Sequence, residues 1–314
     1  MRIKQLEETH ERSSIVAVWK KMWQYLNPDE PVLSEEVFDA ILARENQTVL
    51  SHDFLIAEDS QNSIIGFAGL LKSSTRVFWR VMNVVLPEYI KSSLPGKLFD
   101  AIITLAKKQA APKLRFYSRG HFIPFNRKLE KMGIKPVQYG WWMHLDDFKS
   151  LPQSSLPPNI TLQKQKDIDD LVSYVAVYNK IFSDGFEFEP RTEEKTKQFF
   201  EQMQKIHDIE HLFAIEGNKL VGICFISINP EQEVKGTINS LGVLPSYRRL
   251  GIGSALLTFG IQSLREKGCE IIELSVMAND EKALALYRKF GFYKLELQTQ
   301  YIFDVYPPVF VDLP

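Results

Sequence analysis

The chain has 314 residues, 45% hydrophobic and 25% charged, with a formal net charge of −1. That composition suits a folded globular protein, and the length suggests two domains. The near-zero charge supplies no field for nucleic acid or an anionic membrane, so neither is expected as a partner.

The start, MRIKQLEETHERSSIVAVWKKM, has no apolar h-region, so it does not read as a signal peptide. No apolar run nears the length of a membrane span. Two cysteines, Cys224 and Cys269, make no disulfide framework and read as reduced core thiols, and the expected location is cytoplasmic.

In the first half, Val85-Leu86-Pro87-Glu88-Tyr89 anticipates Val243-Leu244-Pro245-Ser246-Tyr247. The same offset sets Lys131 on Lys289, Gly133 on Gly291 and Asp146 on Asp304. One shift that holds through strand, helix, strand and helix predicts an internal duplication. Its domains are 1–148 and 158–314. The linker 149–157 (KSLPQSSLP) is rich in residues that punctuate structure.

In the second half, Asn159 to Leu162 reads as a strand. Asp167 to Phe182 reads as a helix, with Ile168, Leu171, Val172, Val175 and Ile181 on or near its apolar face. Thr192 to Ile206 reads as a second helix capped by Thr192, although Lys195 stands where a capping box wants Glu or Gln. His211 to Glu216 and Lys219 to Ile228 read as a hairpin around Gly217-Asn218. His207 and His211 have helical spacing, but a break falls between them, so no metal site is expected. Thr237 to Val243 is the next strand, and Pro245 stops it because it has no N–H to donate.

Arg248-Arg249-Leu250-Gly251-Ile252-Gly253 follows, and then a helix with Ile252, Ala255, Leu256, Phe259 and Leu264 at spacings of three and four. Gly268 ends it as a C′ residue. A glycine-rich loop thus enters a helix N-terminus, where free N–H groups and a positive dipole make a phosphate site. Ile271 to Val276 reads as a strand. A short helix then carries Ala283, Leu286 and Tyr287 and ends at Phe290-Gly291-Phe292. Gln298 to Val305 reads as a last strand, and residues 306–314 as a proline-broken tail packed on a surface.

The ordered series V-x-P, RxxGxG, helix, strand, Asn279, then Tyr287 before Gly291-Phe292 resembles the GNAT (Gcn5-related N-acetyltransferase) superfamily. The resemblance implies an α/β fold: two tandem domains, each a twisted, mostly antiparallel mixed sheet flanked by helices. It implies that Arg248, Arg249, Leu250, Gly251, Ile252, Gly253 and Ser254 hold the pyrophosphate of acetyl-CoA. Leu241, Gly242 and Val243 would offer main chain to the pantetheine arm, with the Val243 N–H as oxyanion donor. Asn279 would contact coenzyme A, and Tyr287 would protonate the departing thiolate; its competing reading is a core tyrosine among Leu284, Leu286 and Phe290. No metal is implied.

The implied reaction is direct transfer of acetyl, in a ternary complex, to a primary amine on a small molecule or peptide. A non-catalytic acyl-CoA sensor is the alternative, and Tyr287 argues against it. The base stays open: Asp184, Glu187 and Glu189, in a loop where relatives bind acceptor, are candidates beside a reading as solvated charges, and Phe186 and Phe188 suggest a pocket lip. The first copy lacks the motif. Ile90, Ser93, Pro95, His121 and Leu129 stand opposite Arg248, Gly251, Gly253, Asn279 and Tyr287, and Pro95 removes a phosphate-facing N–H. The first domain is therefore expected to bind coenzyme A poorly. The sequence names neither the acceptor nor the oligomeric state.

Overall fold

The computed structural model describes residues 1–305 apart from 8, 29–31, 33, 44–46, 73–77, 120–128, 132, 150, 154, 187 and 233. The expectations for His121, Glu187 and the tail 306–314 fall outside the described residues. Two units form, Met1–Tyr139 with Gln298–Pro314, and Gly140–Leu297.

The first unit contains β1 (Arg2–Gln5), α1 (Thr9–Leu26), α2 (Glu35–Ala43), α3 (Leu50–Asp53), β2 (Phe54–Glu58), β3 (Ile64–Leu71), β4 (Trp79–Val85), α4 (Leu94–Lys108) and β5 (Lys113–Arg119). The second contains most of β6 (Pro136–Leu145), then β7 (Ile160–Gln165), α5 (Leu171–Phe182), α6 (Glu193–Gln204), β8 (Asp208–Glu216), β9 (Lys219–Ile228), β10 (Lys235–Val243), α7 (Ile252–Glu266), β11 (Ile271–Met277), α8 (Glu281–Lys289) and the start of β12 (Tyr293–Asp304). The strands run β1-β2-β3-β4-β5 in the first unit and β6-β11-β10-β9-β8-β7 in the second. Most neighbours are antiparallel, whereas β4–β5 and β10–β11 are parallel.

The duplication extends to fine detail. Lys107 and Ala106 accept from Ala110 N and Ala111 N, as Arg265 and Leu264 accept from Gly268 N and Cys269 N. Both are Schellman ends, with Ala110 (φ 55°) and Gly268 (φ 92°) left-handed at C′. Gly133 and Gly291 are left-handed in the same way, and Ile134 N to Leu129 O matches Phe292 N to Tyr287 O at 3.0 Å each.

The unit boundary differs from the linker at 149–157. β6, from the first half of the sequence, pairs with β11 of the second unit from Leu145–Ile272 to Gly140–Met277. The far half of β12 pairs with β5 of the first unit from Gln298–Arg119 to Asp304–Lys113. A ladder of main-chain bonds is indifferent to which copy supplies the strand, so the duplication permits each last strand to complete the other half's sheet.

Local chemistry set other boundaries. Asp170 accepts from Ser173 N at 2.9 Å and so starts α5 at Leu171, later than the apolar pattern suggested. Thr192 caps α6 as expected, accepting from Lys195 N. Among the described residues no helix is long and apolar enough to cross a membrane.

Candidate acyl-CoA site

β10 and β11 pair in parallel only from Lys235–Ile271 to Ile238–Leu274. Beyond that point β10 runs on to Val243 and β11 to Met277 with no pairing between them among the described residues. The strands therefore open into a V. On the other edge β10 stays bound to β9 through a register shift between Ile238 and Ser240. Asn239 is the extra residue there, and its amide donates to Ser227 Oγ at 2.8 Å. Leu244 N turns to β9, donating to Val221 O at 2.9 Å. Alternation along the strand then aims the N–H groups of Val243 and Leu241 into the open gap.

At the mouth of the V lies the glycine loop. Arg249 (φ 68°) and Gly251 (φ 82°) are both left-handed. This kinked turn runs into the first turn of α7. Among the described residues no backbone carbonyl accepts from the N–H groups of residues 249–254. Six consecutive donors at a helix N-terminus form an anion cradle. A Cβ on Gly251 would lie 2.6 Å from the Ser155 carbonyl oxygen, so backbone and linker both demand glycine there. Gly253 differs: the nearest atom to an added Cβ is 3.8 Å away, so the space above it is open. Arg249 and Leu250 are exposed, and Ser254 is half-buried.

Arg248 does something the sequence did not disclose. Its Nε donates to Val243 O at 3.1 Å and its Nη2 to Ile181 O at 3.3 Å. It ties the end of β10 to the end of α5 instead of standing free over the cradle. Gly242 makes that approach possible, because a Cβ there would fall 2.3 Å from Ile181 Cγ2. The loop is held from below as well: Tyr247 donates to Glu216 and accepts from Lys219 Nζ at 3.1 Å. No periodicity signals these three, since they meet only in the folded chain.

Asn279 is exposed in the turn after β11. The next residue, Asp280, caps α8 by accepting from Ala283 N at 3.0 Å, an Asp-before-helix signal that was readable in the sequence. Tyr287 is buried, with its ring edge-on to Phe292 at 5.8 Å. Burial pushes its phenol well above the usual value, so it is a protonated donor at any working pH.

The loop after α5 carries the acceptor-side candidates. Asp184 and Phe186 are exposed, and Glu189 is half-buried. The loop's far end is fixed by Asn179, which donates to Arg191 O at 2.9 Å and accepts from Arg191 N at 2.8 Å. The Arg191 guanidinium stacks on Tyr178 at 3.8 Å. His211 lies in an aromatic cluster with Tyr174, Phe200, Phe213 and Phe225. No metal-ligating cluster occurs among the described residues.

An open parallel pair with an N–H cradle at its mouth defines an acetyltransferase domain. Residues 174–292 match the family model of the acetyltransferase (GNAT) family, so the second unit carries a GNAT domain. It is similar to the mycothiol acetyltransferase of Paenarthrobacter aurescens, 28% identical over 225 residues, covering 69% of this chain and 68% of that one. It is also similar to the mycothiol acetyltransferase of Arthrobacter sp. (strain FB24), 24% identical and covering 86% of each chain.

Among solved structures, a GCN5-related N-acetyltransferase from Sphaerobacter thermophilus gives a TM-score of 0.74 at 21% identity, covering 98% of this chain and 97% of its own. A tandem GNAT protein from the clavulanic acid biosynthesis pathway gives 0.76 at 13% identity, covering 98% and 100%. These two likenesses establish the fold.

Proposed function

We propose that the protein transfers acetyl from acetyl-CoA to the primary amine of a small cytoplasmic molecule, by direct attack within a ternary complex. The observation that carries this reading is the run of open N–H groups at residues 249–254, set at the mouth of the V between β10 and β11. The pyrophosphate seats on that cradle, with Asn279 at its flank. The pantetheine arm follows β10 inward and borrows the N–H groups of Leu241 and Val243. One of those N–H groups then faces the thioester oxygen as charge develops on it. Tyr287 donates to the thiolate as the C–S bond breaks. Its raised pKa suits hydrogen-bond donation better than complete proton transfer.

The relatives' name, mycothiol acetyltransferase, supports an acceptor related to mycothiol. The first unit is a folded copy without the cofactor site. Its turn has no left-handed residue corresponding to Arg249 or Gly251, Ser92 Oγ occupies the N–H of Leu94 at 3.1 Å, and Pro95 has none. The test is thiol release from acetyl-CoA by the purified chain across a panel of primary amines. No release above the amine-free rate with any of them refutes the reading.

A further inference from the structure

Acyl transfer to an amine needs a group that takes the ammonium proton on the acceptor's side of the sheet. Ile272, Leu274 and Val276 of β11 join the core with Leu264 and Leu284. The alternate residues Glu273 and Ser275 therefore occupy the opposite face. That is also the face of Gly242, against which Ile181 of α5 presses, and α5 leads into loop 183–190. Glu273 sits at the apex of the V, one residue before the last parallel pair. Directly across the ladder is His144 of β6, its Nε2 2.6 Å from Glu273 Oε1. Both are largely buried.

We propose that His144 accepts the proton of the acceptor ammonium, and that Glu273 is the positioning residue that fixes its tautomer. The inference rests on the acyl-transfer reading above. Nε2, 2.6 Å from the Glu273 carboxylate, is the nitrogen that keeps its proton, although the N–H is not aligned on Oε1, and Nδ1 then carries the lone pair. The charged groups around the ring are few. Lys235 of β10 lies 3.4 Å from Glu273 Oε1. Tyr293 packs edge-on to His144 at 6.2 Å and donates to Asp146 Oδ2 at 3.0 Å. Glu273 stays ionised: burial works to raise its pKa, but His144 and Lys235 outweigh burial and hold it below the usual range.

In the step, R–NH3+ gives one proton to Nδ1, directly or through one water, and the neutral nitrogen attacks the thioester carbon. The C–N bond forms and the C–S bond breaks. The second nitrogen proton leaves to balance the thiol, and the imidazolium returns its proton to solvent. A purely structural role, tying three strands together, would alter stability without caring which amine attacks.

The experiment uses acetyl-CoA with two probes, ethanolamine, an ammonium at neutral pH, and hydroxylamine, already neutral. In His144→Gln, kcat/KM for ethanolamine falls about a hundredfold or more. The loss for hydroxylamine is far smaller, and the acetyl-CoA Kd is unchanged. In Glu273→Gln kcat/KM for ethanolamine falls while that for hydroxylamine is nearly kept, and Glu273→Asp restores it. Should His144→Gln fail to fold, that amine-dependent loss and its rescue decide. Equal losses for both amines, or an undiminished ethanolamine rate in Glu273→Gln, overturn the inference. Wild-type protein that acetylates neither these probes nor any amine of the panel overturns the acyl-transfer reading and the inference with it. An active wild type with an indifferent His144→Gln overturns the inference alone.

Discussion

Arg248 clamps Val243, its Nε donating to the Val243 carbonyl at 3.1 Å while Nη2 reaches the Ile181 carbonyl at 3.3 Å. A side chain so engaged shapes the phosphate loop instead of neutralising its ligand. Arg248→Ala is expected to cost about 1–2 kcal/mol of stability, the scale of lost hydrogen bonds from a charged donor near the surface. Acetyl-CoA affinity falls with it, because the cradle loosens. Calorimetry at two ionic strengths separates the roles. A clamp leaves the salt dependence of binding as in the wild type, whereas loss of a phosphate contact flattens it.

Gly251 and Gly253 belong to one motif but respond differently to a methyl group. Gly251→Ala forces a left-handed residue and a clash with the Ser155 carbonyl, so it lowers the melting temperature by an amount equivalent to about 1–2 kcal/mol or more. Gly253→Ala meets nothing closer than 3.8 Å and folds like the wild type. Its methyl group then stands where the pyrophosphate approaches. Paired thermal melts and acetyl-CoA titrations should therefore show a stability defect in the first variant and an affinity defect in the second. Normal acetyl-CoA binding by folded Gly253→Ala removes the loop from the site.

Acetyl-CoA is expected to bind once per chain. In the first unit Asn83 donates to Pro95 O at 3.1 Å and Ser92 caps Leu94 N, so the equivalent turn is closed by its own side chains. Isothermal titration reads the stoichiometry directly. Two equivalent sites would mean that Ser92 and Pro95 do not block the copy.

The second unit was largely legible because its signals are local. Pro245, the glycines, the apolar spacing of α7 and the Gly268 stop each act within a few residues, so β10, α7, β11 and α8 fall where the sequence set them. The duplication was legible because Val85-Leu86-Pro87 and Val243-Leu244-Pro245, like Gly133 and Gly291, recur at one offset, whereas the left-handed Ala110 opposite Gly268 was not, since alanine gives no sign of that backbone. What was illegible depends on contacts distant in sequence. β6 crossing to β11, Arg248 reaching Ile181 and His144 facing Glu273 join residues that no periodicity connects. Asp170 shows the intermediate case, a readable cap overlooked because Ile168 extended the apolar pattern.

His211 predicts an acid-side loss of stability. Burial among aromatic rings depresses its pKa to about 4, while an unfolded histidine titrates at about 6.5. Below about pH 6.5 the unfolded chain binds a proton that the folded chain refuses, so stability rises with pH from 4 to 6.5 and is level above. The full effect is about 3 kcal/mol by linkage. Denaturant melts at pH 5 and pH 7 check it. His211→Phe, which suits the cluster of Phe200, Phe213 and Phe225, should remove most of that pH dependence.

Tyr287→Phe separates chemistry from packing. The side chain is buried and edge-on to Phe292, so a phenylalanine keeps almost every contact. Only the hydroxyl goes, and the ring keeps its packing on Phe292. The folded state therefore loses little, and the melting temperature should hold. Acetyl-CoA affinity should hold too, because the hydroxyl acts on the thiolate that appears only as the C–S bond breaks. Turnover is expected to fall about a hundredfold, the usual contribution of a placed acid. The raised phenol pKa argues for donation without full transfer, which sets that figure as an upper range, since a thiolate is already a fair leaving group. Single-turnover rates and thermal melts on one preparation read both quantities. A lowered melting temperature with unchanged chemistry per folded molecule would make Tyr287 a core residue and leave the thiolate to water.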